Sequence, residues 1–275
     1  MAGNGIGKGK RSYSRKIKYF TKDKPDIMIR YFLKISYNRS SGENTGKIFR
    51  SARYAGIRPA LVYESQSGGG GVMMQRLKQN NVQEIFKRLY LNLPKELYIH
   101  QGLTAKYACV LFVKMCSARM YVQEARELTI EAVRLGALYH DAGKILIPGE
   151  ILCKKAPLTQ KEWSITHCHA EFGGDIAVCM LKEEQKKYEN TVWAMAEYHH
   201  EFWDGSGYPD GLRREEIPLE ARICCIADSY DKMVNDAGNH NGSKEYACAE
   251  IAKNAGARFD PLLAGLFLEC IKEES

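Results

Sequence analysis

His140 and Asp141 stand side by side at the end of an apolar run, Leu135-Gly136-Ala137-Leu138-Tyr139, and Gly143 and Lys144 follow them closely. An imidazole nitrogen beside a carboxylate suits a divalent metal, because the carboxylate has two oxygens and can bridge two ions. The same pair also fits a solvated helix end, with Asp as a cap and His incidental. The rest of the chain has to decide between the two. Of the seven His, His100 has Glu96 one helical turn before it, so both face one way and can share a metal. His169, the adjacent His199 and His200, and Asp228 come next in order. Each has an ordinary role when taken singly: a hydrogen-bonded core His, a capping Asp, a solvated Glu. Unrelated structural roles do not predict this order and spacing, whereas successive helices of a bundle build dinuclear and trinuclear sites from such side chains.

Helices must carry these ligands. Leu103, Tyr107, Val110 and Leu111 follow a helical stripe, and Leu128, Ala132, Leu135 and Leu138 follow another that delivers His140 and Asp141 at its end, where Gly143 can stop the helix. Thr159 to Glu162 is a capping box that opens a helix through Trp163, His169, Phe172 and Ile176. Asn190 or Thr191 can start the next, with Val192, Met195, Ala196 and His199 on one face. Within a helix His199 and His200 point about 100° apart, so one continues the apolar stripe and the other reaches a second ion. Residues 204–218 are rich in Gly and Pro and read as a long loop. Pro218 then begins a helix through Ile223, Ile226, Ala227 and Tyr230, and a last one follows Pro261 through Leu262, Leu263, Leu266 and Phe267. No strand alternation occurs after residue 72, so residues 72–275 are expected to form an all-α domain.

The motifs resemble those of an HD-GYP domain, a branch of the HD phosphohydrolases. The residues that carry the resemblance run from His140-Asp141-Ala142-Gly143-Lys144 through His169-Ala170-Glu171-Phe172-Gly173 to His199-His200-Glu201. They continue with Asp204-Gly205-Ser206-Gly207-Tyr208-Pro209-Asp210-Gly211, Ile217-Pro218-Leu219 and Ala227-Asp228-Ser229-Tyr230-Asp231, and end on Phe259-Asp260-Pro261, so roughly residues 96–270 are covered. The resemblance implies an HD-GYP helical bundle with two or three divalent ions, Fe or Mn, held by Glu96, His100, His140, Asp141, His169, His199, His200 and Asp228. Glu96 is the member that would admit a third ion. The implied activity is hydrolysis of cyclic di-GMP, a bacterial second messenger, or of a related cyclic dinucleotide, to the linear pGpG and onward to GMP.

Paired ions acidify water and hold phosphate oxygens. In such a site Asp141 would bridge the ions and Lys144 would neutralise a nonbridging oxygen, although a lysine there also satisfies a helix dipole. Gly207, Tyr208 and Pro209 form a restricted loop whose ring can stack on a base or meet a signalling-protein partner, or is a plain turn. Asp231, one turn after Asp228, reads as support for a ligand rather than a ligand. One stretch departs from the family. Asn235–Gly242 has no Arg or Tyr where members carry residues that bind substrate phosphates, which leaves Lys232 and Lys244 as substitutes. Two other readings stay open: a weakly active or inactive HD-GYP cyclic-nucleotide-binding scaffold, and an HD hydrolase of another phosphate ester.

Composition sets the outer limits. At 275 residues and 45% hydrophobic the chain can bury a sizeable core. It has no apolar run long enough to span a membrane and no signal-peptide core in its first thirty residues, so a cytoplasmic location is expected. Nine Cys without a Cys-x-x-Cys read as reduced core thiols. The net charge of +7 is concentrated at the start: residues 1–58 hold 15 Lys and Arg against three acids, leaving 25 against 30 for residues 59–275. Residues 1–71 therefore read as a basic segment of uncertain fold. It is expected to be disordered at least to about Arg15, has apolar runs at 27–33 and 60–63 that fit either strands or a helix with loops, and its end, Gln66–Gly71, reads as a flexible linker or loop. A solubilising tail is the expected role, nucleic acid is not an expected partner, and a homodimer is compatible with the sequence.

Overall fold

A computed structural model of the chain describes residues 79–235 and 242–273, with side chains from Gln83 onward. The chain divides into Met1–Val82 and Gln83–Ser275. The expected boundary at 71/72, the basic segment and most of the stretch 235–242 lie outside the described residues. The second unit is all-α, as the periodicity and the resemblance both imply: among the described residues there is no strand, and a single isolated bridge pairs Ala255 with Phe259.

The helices are α1 (Gln79–Leu91), α2 (Lys95–Ser117), α3 (Ile130–Tyr139), α4 (Gly149–Leu152), α5 (Gln160–Glu171), α6 (Gly173–Met180), α7 (Glu189–Tyr198), α8 (Leu219–Asn235), α9 (Lys244–Lys253) and α10 (Pro261–Glu273). Helix α2 packs along α3, α8 and α10, while α7 fills the space between α3 and α6. The core lies between α2, α3, α8 and α10, around Leu111, Met115, Val133, Ile223, Ile226, Tyr230 and Phe267. A smaller cluster of Trp193, Tyr198, Ile217 and Ala221 closes the other side of α7.

Several elements differ from the sequence reading, each for a physical reason. On α2 the buried stripe is Gln101, Thr104, Ala105, Ala108, Leu111, Phe112 and Met115, and of the four stripe residues expected only Leu111 is fully covered. Small residues let α3 and α8 approach closely, a preference that hydrophobicity alone does not register. Leu128 stands outside α3, because Thr129 caps that helix by accepting a hydrogen bond from the Ala132 N–H. Thr159 and Glu162 do form the capping box, but the helix they open ends at Glu171, and Ile176 belongs to α6 after a break at Phe172. Helix α7 begins at Glu189, just before the expected start, with no side-chain cap. Gly143 does not end α3 by a left-handed turn. It sits in a following 3-10 segment, Ala142–Leu146, where a Cβ would come within 2.1 Å of the His169 carbonyl oxygen, so glycine is needed for close packing against α5.

None of the nine Cys is in a disulfide, yet only Cys224, Cys225 and Cys270 are buried, and Cys116 and Cys153 are exposed. The reading as uniformly core residues does not hold. An amphipathic helix carries cysteines on its outer face as easily as on its inner one. Leu262 is likewise exposed, while Leu263, Leu266 and Phe267 on the same helix are buried.

Candidate metal centre

The expected ligands come from five places in the fold. His100 belongs to the second turn of α2, and Asp228 to the buried face of α8. His140 caps α3, and Asp141 follows it with φ −97° and ψ 13°, in the sparsely populated bridge region where active-site residues are often found. His169 lies near the end of α5. His199 and His200 stand just past α7 rather than inside it. That turn separates their rings without the regular helical offset: His199 faces Asp141, while His200 Nε2 lies 3.2 Å from His169 Nε2.

Asp141 is the hub. One of its oxygens, Oδ2, lies 3.3 Å from His140 Nε2 and 3.7 Å from His100 Nε2. The other, Oδ1, lies 3.4 Å from His169 Nε2 and 3.8 Å from His199 Nε2. Asp228 Oδ1 adds approaches of 2.9 Å to His100 Nε2 and 3.4 Å to His140 Nε2. Among the described residues, three overlapping groups have ligand atoms within 4.8 Å of one another: His169, His199 and His200; His100, His140 and Asp228; His140, Asp141 and His199. Glu96, one turn before His100, is exposed in the first turn of α2 and lies outside these groups.

The outer hydrogen bonds explain why the ligand atoms converge. His140 Nδ1 is 2.7 Å from the Ala137 carbonyl, His169 Nδ1 meets the Thr166 carbonyl, and His199 Nδ1 lies 3.1 Å from the Met195 carbonyl. A carbonyl only accepts, so each Nδ1 carries the proton and each Nε2 turns a lone pair inward. On His100 the same task falls to Asp231, whose Oδ2 is 2.6 Å from Nδ1. Asp231 is therefore placed as a support for His100. The result is a buried set of acceptors aimed at one another. The Nε2 atoms of His100, His140 and His199, both Asp141 oxygens and Asp228 Oδ1 are buried without a well-directed hydrogen bond. Buried acceptors in that state are costly unless a cation satisfies them, and imidazoles with carboxylates are the donor set of divalent transition ions. The residues present fit such ions.

The electrostatics agree. Burial opposes ionisation of Asp141, yet the Lys144 ammonium, 2.6 Å from Oδ2, and the His140 ring hold its carboxyl well below the usual range. Asp228 is held down in the same way by Lys232, His100 and His140 against the cost of burial. Burial pushes His169 down to about 4 and lowers His199 and His200 as well, which keeps all three neutral and able to ligate. His140 goes the other way: burial lowers it, but the two carboxylates outweigh burial and raise it to about 9. A proton and a divalent ion therefore compete for its Nε2.

Residues 204–218 form the long loop that was expected, with one 3-10 turn at Arg214–Glu216. Its anchor is Glu201, which the ligand pattern alone did not single out. The Glu201 carboxylate is buried and accepts the backbone N–H groups of Asp210, Gly211 and Leu212 at 2.7, 3.0 and 3.0 Å. Gly207 packs so closely beneath the loop that a Cβ would meet the Phe202 nitrogen at 2.4 Å. Tyr208 donates its backbone N–H to the His200 carbonyl at 3.1 Å, and its ring stacks on the His200 ring at 4.8 Å. The Tyr208–Pro209 peptide bond is cis. Among the substitute cations, Lys232 places Nζ 2.8 Å from Asp228 Oδ2, while Lys244 is exposed at the start of α9.

Comparison with known proteins gives a consistent family. The family described as HD domain matches residues 93–263. The chain is 32% identical over 155 residues to 3'3'-cGAMP-specific phosphodiesterase 2 of Vibrio cholerae, covering 56% of this chain and 29% of that protein. It is 34% identical over 173 residues to a probable cyclic di-GMP phosphodiesterase of the same organism, covering 60% and 38%. A cyclic di-GMP phosphodiesterase of Thermotoga maritima is 36% identical over 148 residues, covering 54% and 39%. The matched part thus spans between 29% and 39% of these relatives' length. Among the described residues no helix is long and apolar enough to cross a membrane.

Proposed function

The chain belongs to the HD domain family, and we propose that it is a metal-dependent phosphodiesterase that opens cyclic di-GMP or a related cyclic purine dinucleotide to the linear form, and onward to the mononucleotide, in bacterial second-messenger signalling. The observation that carries this reading is the pair of Asp141 oxygens, each facing two imidazole Nε2 atoms in a buried pocket of unsatisfied acceptors. The names of the relatives support the substrate class.

Bound divalent ions, Fe or Mn in this reading, supply an acidified water and withdraw charge from the phosphate oxygens. His100, His140, Asp141, His169, His199, His200 and Asp228 would hold them, with Asp141 shared and Glu96 the candidate ligand for a third ion. The protein's part is positioning. The Nδ1 hydrogen bonds keep each ring in one tautomer, and the bridge-region backbone of Asp141 turns its carboxylate into the centre. Lys144 carries positive charge to the same spot and neutralises a nonbridging oxygen as charge builds on phosphorus. Lys232, next to Asp228, is the cation available for the second phosphate. A signalling protein docked through the Gly207–Pro209 loop and a second copy of the chain are the candidate protein partners. Nine cysteines without a disulfide fit a reducing compartment, which supports action in the cytoplasm.

The test is turnover by protein reconstituted anaerobically with Fe(II) or Mn(II), offered cyclic di-GMP and 3'3'-cGAMP beside an Asp141→Ala variant. The wild type is expected to release the linear dinucleotide and the variant to lose metal and activity together. Lys144→Met is expected to keep the metal and lose about 10²–10³ in kcat. Equal, negligible turnover by wild type and Asp141→Ala would remove the enzymatic reading.

A further inference from the structure

Helix α5 holds one ligand inward, His169, and carries a second imidazole, His167, on its outer side with Trp163 one turn before it. Trp163 is 53% exposed, and His167 is exposed as well. The His167 ring lies flat on the Tyr208 ring, with centroids 3.9 Å apart and planes 15° apart. The other partner of Tyr208 is His200, at 4.8 Å and 27°. Two rings stacked that closely on one ring take opposite faces, since on a single face they would collide. Both faces of Tyr208 are therefore occupied. The stacking surface that the Gly-Tyr-Pro loop was expected to offer is passed outward to His167. Trp163 stands at an angle to it, with centroids 6.1 Å apart and planes at 64°, so the two rings form a corner.

We propose that His167 and Trp163 form the stacking site for one purine base of the substrate, at the outer end of an aromatic column that starts on the metal-facing His200. The proposal rests on the cyclic-dinucleotide reading above and names where one of its bases lies. A nucleotide's base is one sugar away from its phosphate, and this column leads outward from the ring of a candidate ligand. A flat, apolar-faced and edge-polar group is what an exposed imidazole–indole corner accommodates, and base stacking on aromatic side chains tolerates any purine. Nothing about metal ligation calls for these rings, because His167 belongs to none of the groups of converging ligand atoms among the described residues.

Metal-loaded protein, cyclic di-GMP and GMP serve as the test. In steady-state turnover, His167→Ala and Trp163→Ala are each expected to raise KM for cyclic di-GMP by about tenfold with kcat within twofold, as loss of one base stack implies. His167→Phe, which restores a flat ring, is expected to return KM to near the wild-type value. A His167→Ala defect in kcat and melting temperature that Phe does not rescue would reveal mere support of Tyr208 and overturn the proposal. In equilibrium titration, GMP is expected to quench tryptophan fluorescence in the wild type but not in Trp163→Phe, which retains Trp193 and Trp203; inorganic phosphate quenches neither. Unchanged quenching in Trp163→Phe, or an unchanged KM in both alanine variants, sinks the stacking site while leaving the phosphodiesterase intact. If no cyclic dinucleotide is hydrolysed but GMP still quenches through Trp163, the enzymatic reading fails and the base site stands.

Discussion

His100 Nδ1 and Asp231 Oδ2 lie 2.6 Å apart, across more than a hundred residues of sequence, and this contact aims the other nitrogen of His100 at Asp228 and Asp141. His140, His169 and His199 are oriented by backbone carbonyls near them in sequence. His100 alone among these depends on a side chain from another helix. Asp231→Ala is expected to weaken metal binding by about 10- to 100-fold, the usual loss when a ligand's supporting partner is removed. Chelator competition on the purified protein measures it, and excess metal should recover most of the activity. Retention of metal at wild-type affinity would show that His100 needs no such support.

Glu201 holds the loop that carries Tyr208. Its carboxylate satisfies three consecutive backbone N–H groups, and burial raises its carboxyl in spite of them. Glu201→Ala leaves those donors without their acceptor, at a cost of about 1–3 kcal/mol for the first of them. Hydrogen exchange at residues 210–212 is expected to speed up by more than about tenfold while the helices keep their protection. Exchange as slow as in the wild type would show that the loop is held by other means.

Arg222 ties the start of α8 to the start of α10. Its guanidinium donates to Asp260 at 2.8 Å, to the Ile217 carbonyl at 3.0 Å and to Glu124, while Asp260 also accepts the Tyr121 hydroxyl and the Leu262 N–H. Arg222 and Asp260 are both almost fully buried. Asp260→Ala is expected to cost about 3–5 kcal/mol, because it takes one of two carboxylate partners from a buried cation as well as removing a helix cap. Urea unfolding measures this loss. A loss below about 1 kcal/mol would mean that the pair contributes no more than an exposed one.

The capping box at Thr159 gives α5, and with it His169, a pH-dependent start. The Lys154 ammonium and the Thr159 N–H pull the Glu162 carboxyl from its usual 4.5 down to about 2. A carboxyl lowered on folding stabilises the fold above its unfolded value and loses that contribution as pH falls through the folded one. Glu162→Gln is therefore expected to melt lower than the wild type at pH 7, with the gap closing as pH drops from about 4.5 towards 2. Thermal melts across that range check it. A gap that does not change with pH would assign the effect to the amide's poorer capping rather than to charge.

The type and order of the candidate ligands were legible in the sequence because they are local facts. His140 and Asp141 end an apolar helical stripe, and Thr159 with Glu162 announces the start of the helix that bears His169. The all-α architecture was legible for the same reason, since a period near 3.6 survives in residues 83–235 and 242–273 wherever one face is buried. Other features depended on distant partners. That the buried face of α2 runs through Ala105 and Ala108 depends on how closely α3 and α8 approach it. Glycine at 143 is required by the His169 carbonyl, which belongs to another helix. Sequence spacing places Asp231 one turn from Asp228, but only the packing of α2 against α8 brings it to His100. The division of the Asp141 oxygens between two pairs of imidazoles, and the filling of both faces of Tyr208, are likewise products of assembly. Helix periodicity and capping act over a few residues and can be read along the chain. Distances between side chains on different helices are set by the core that packs them, and they exist only once the chain has folded.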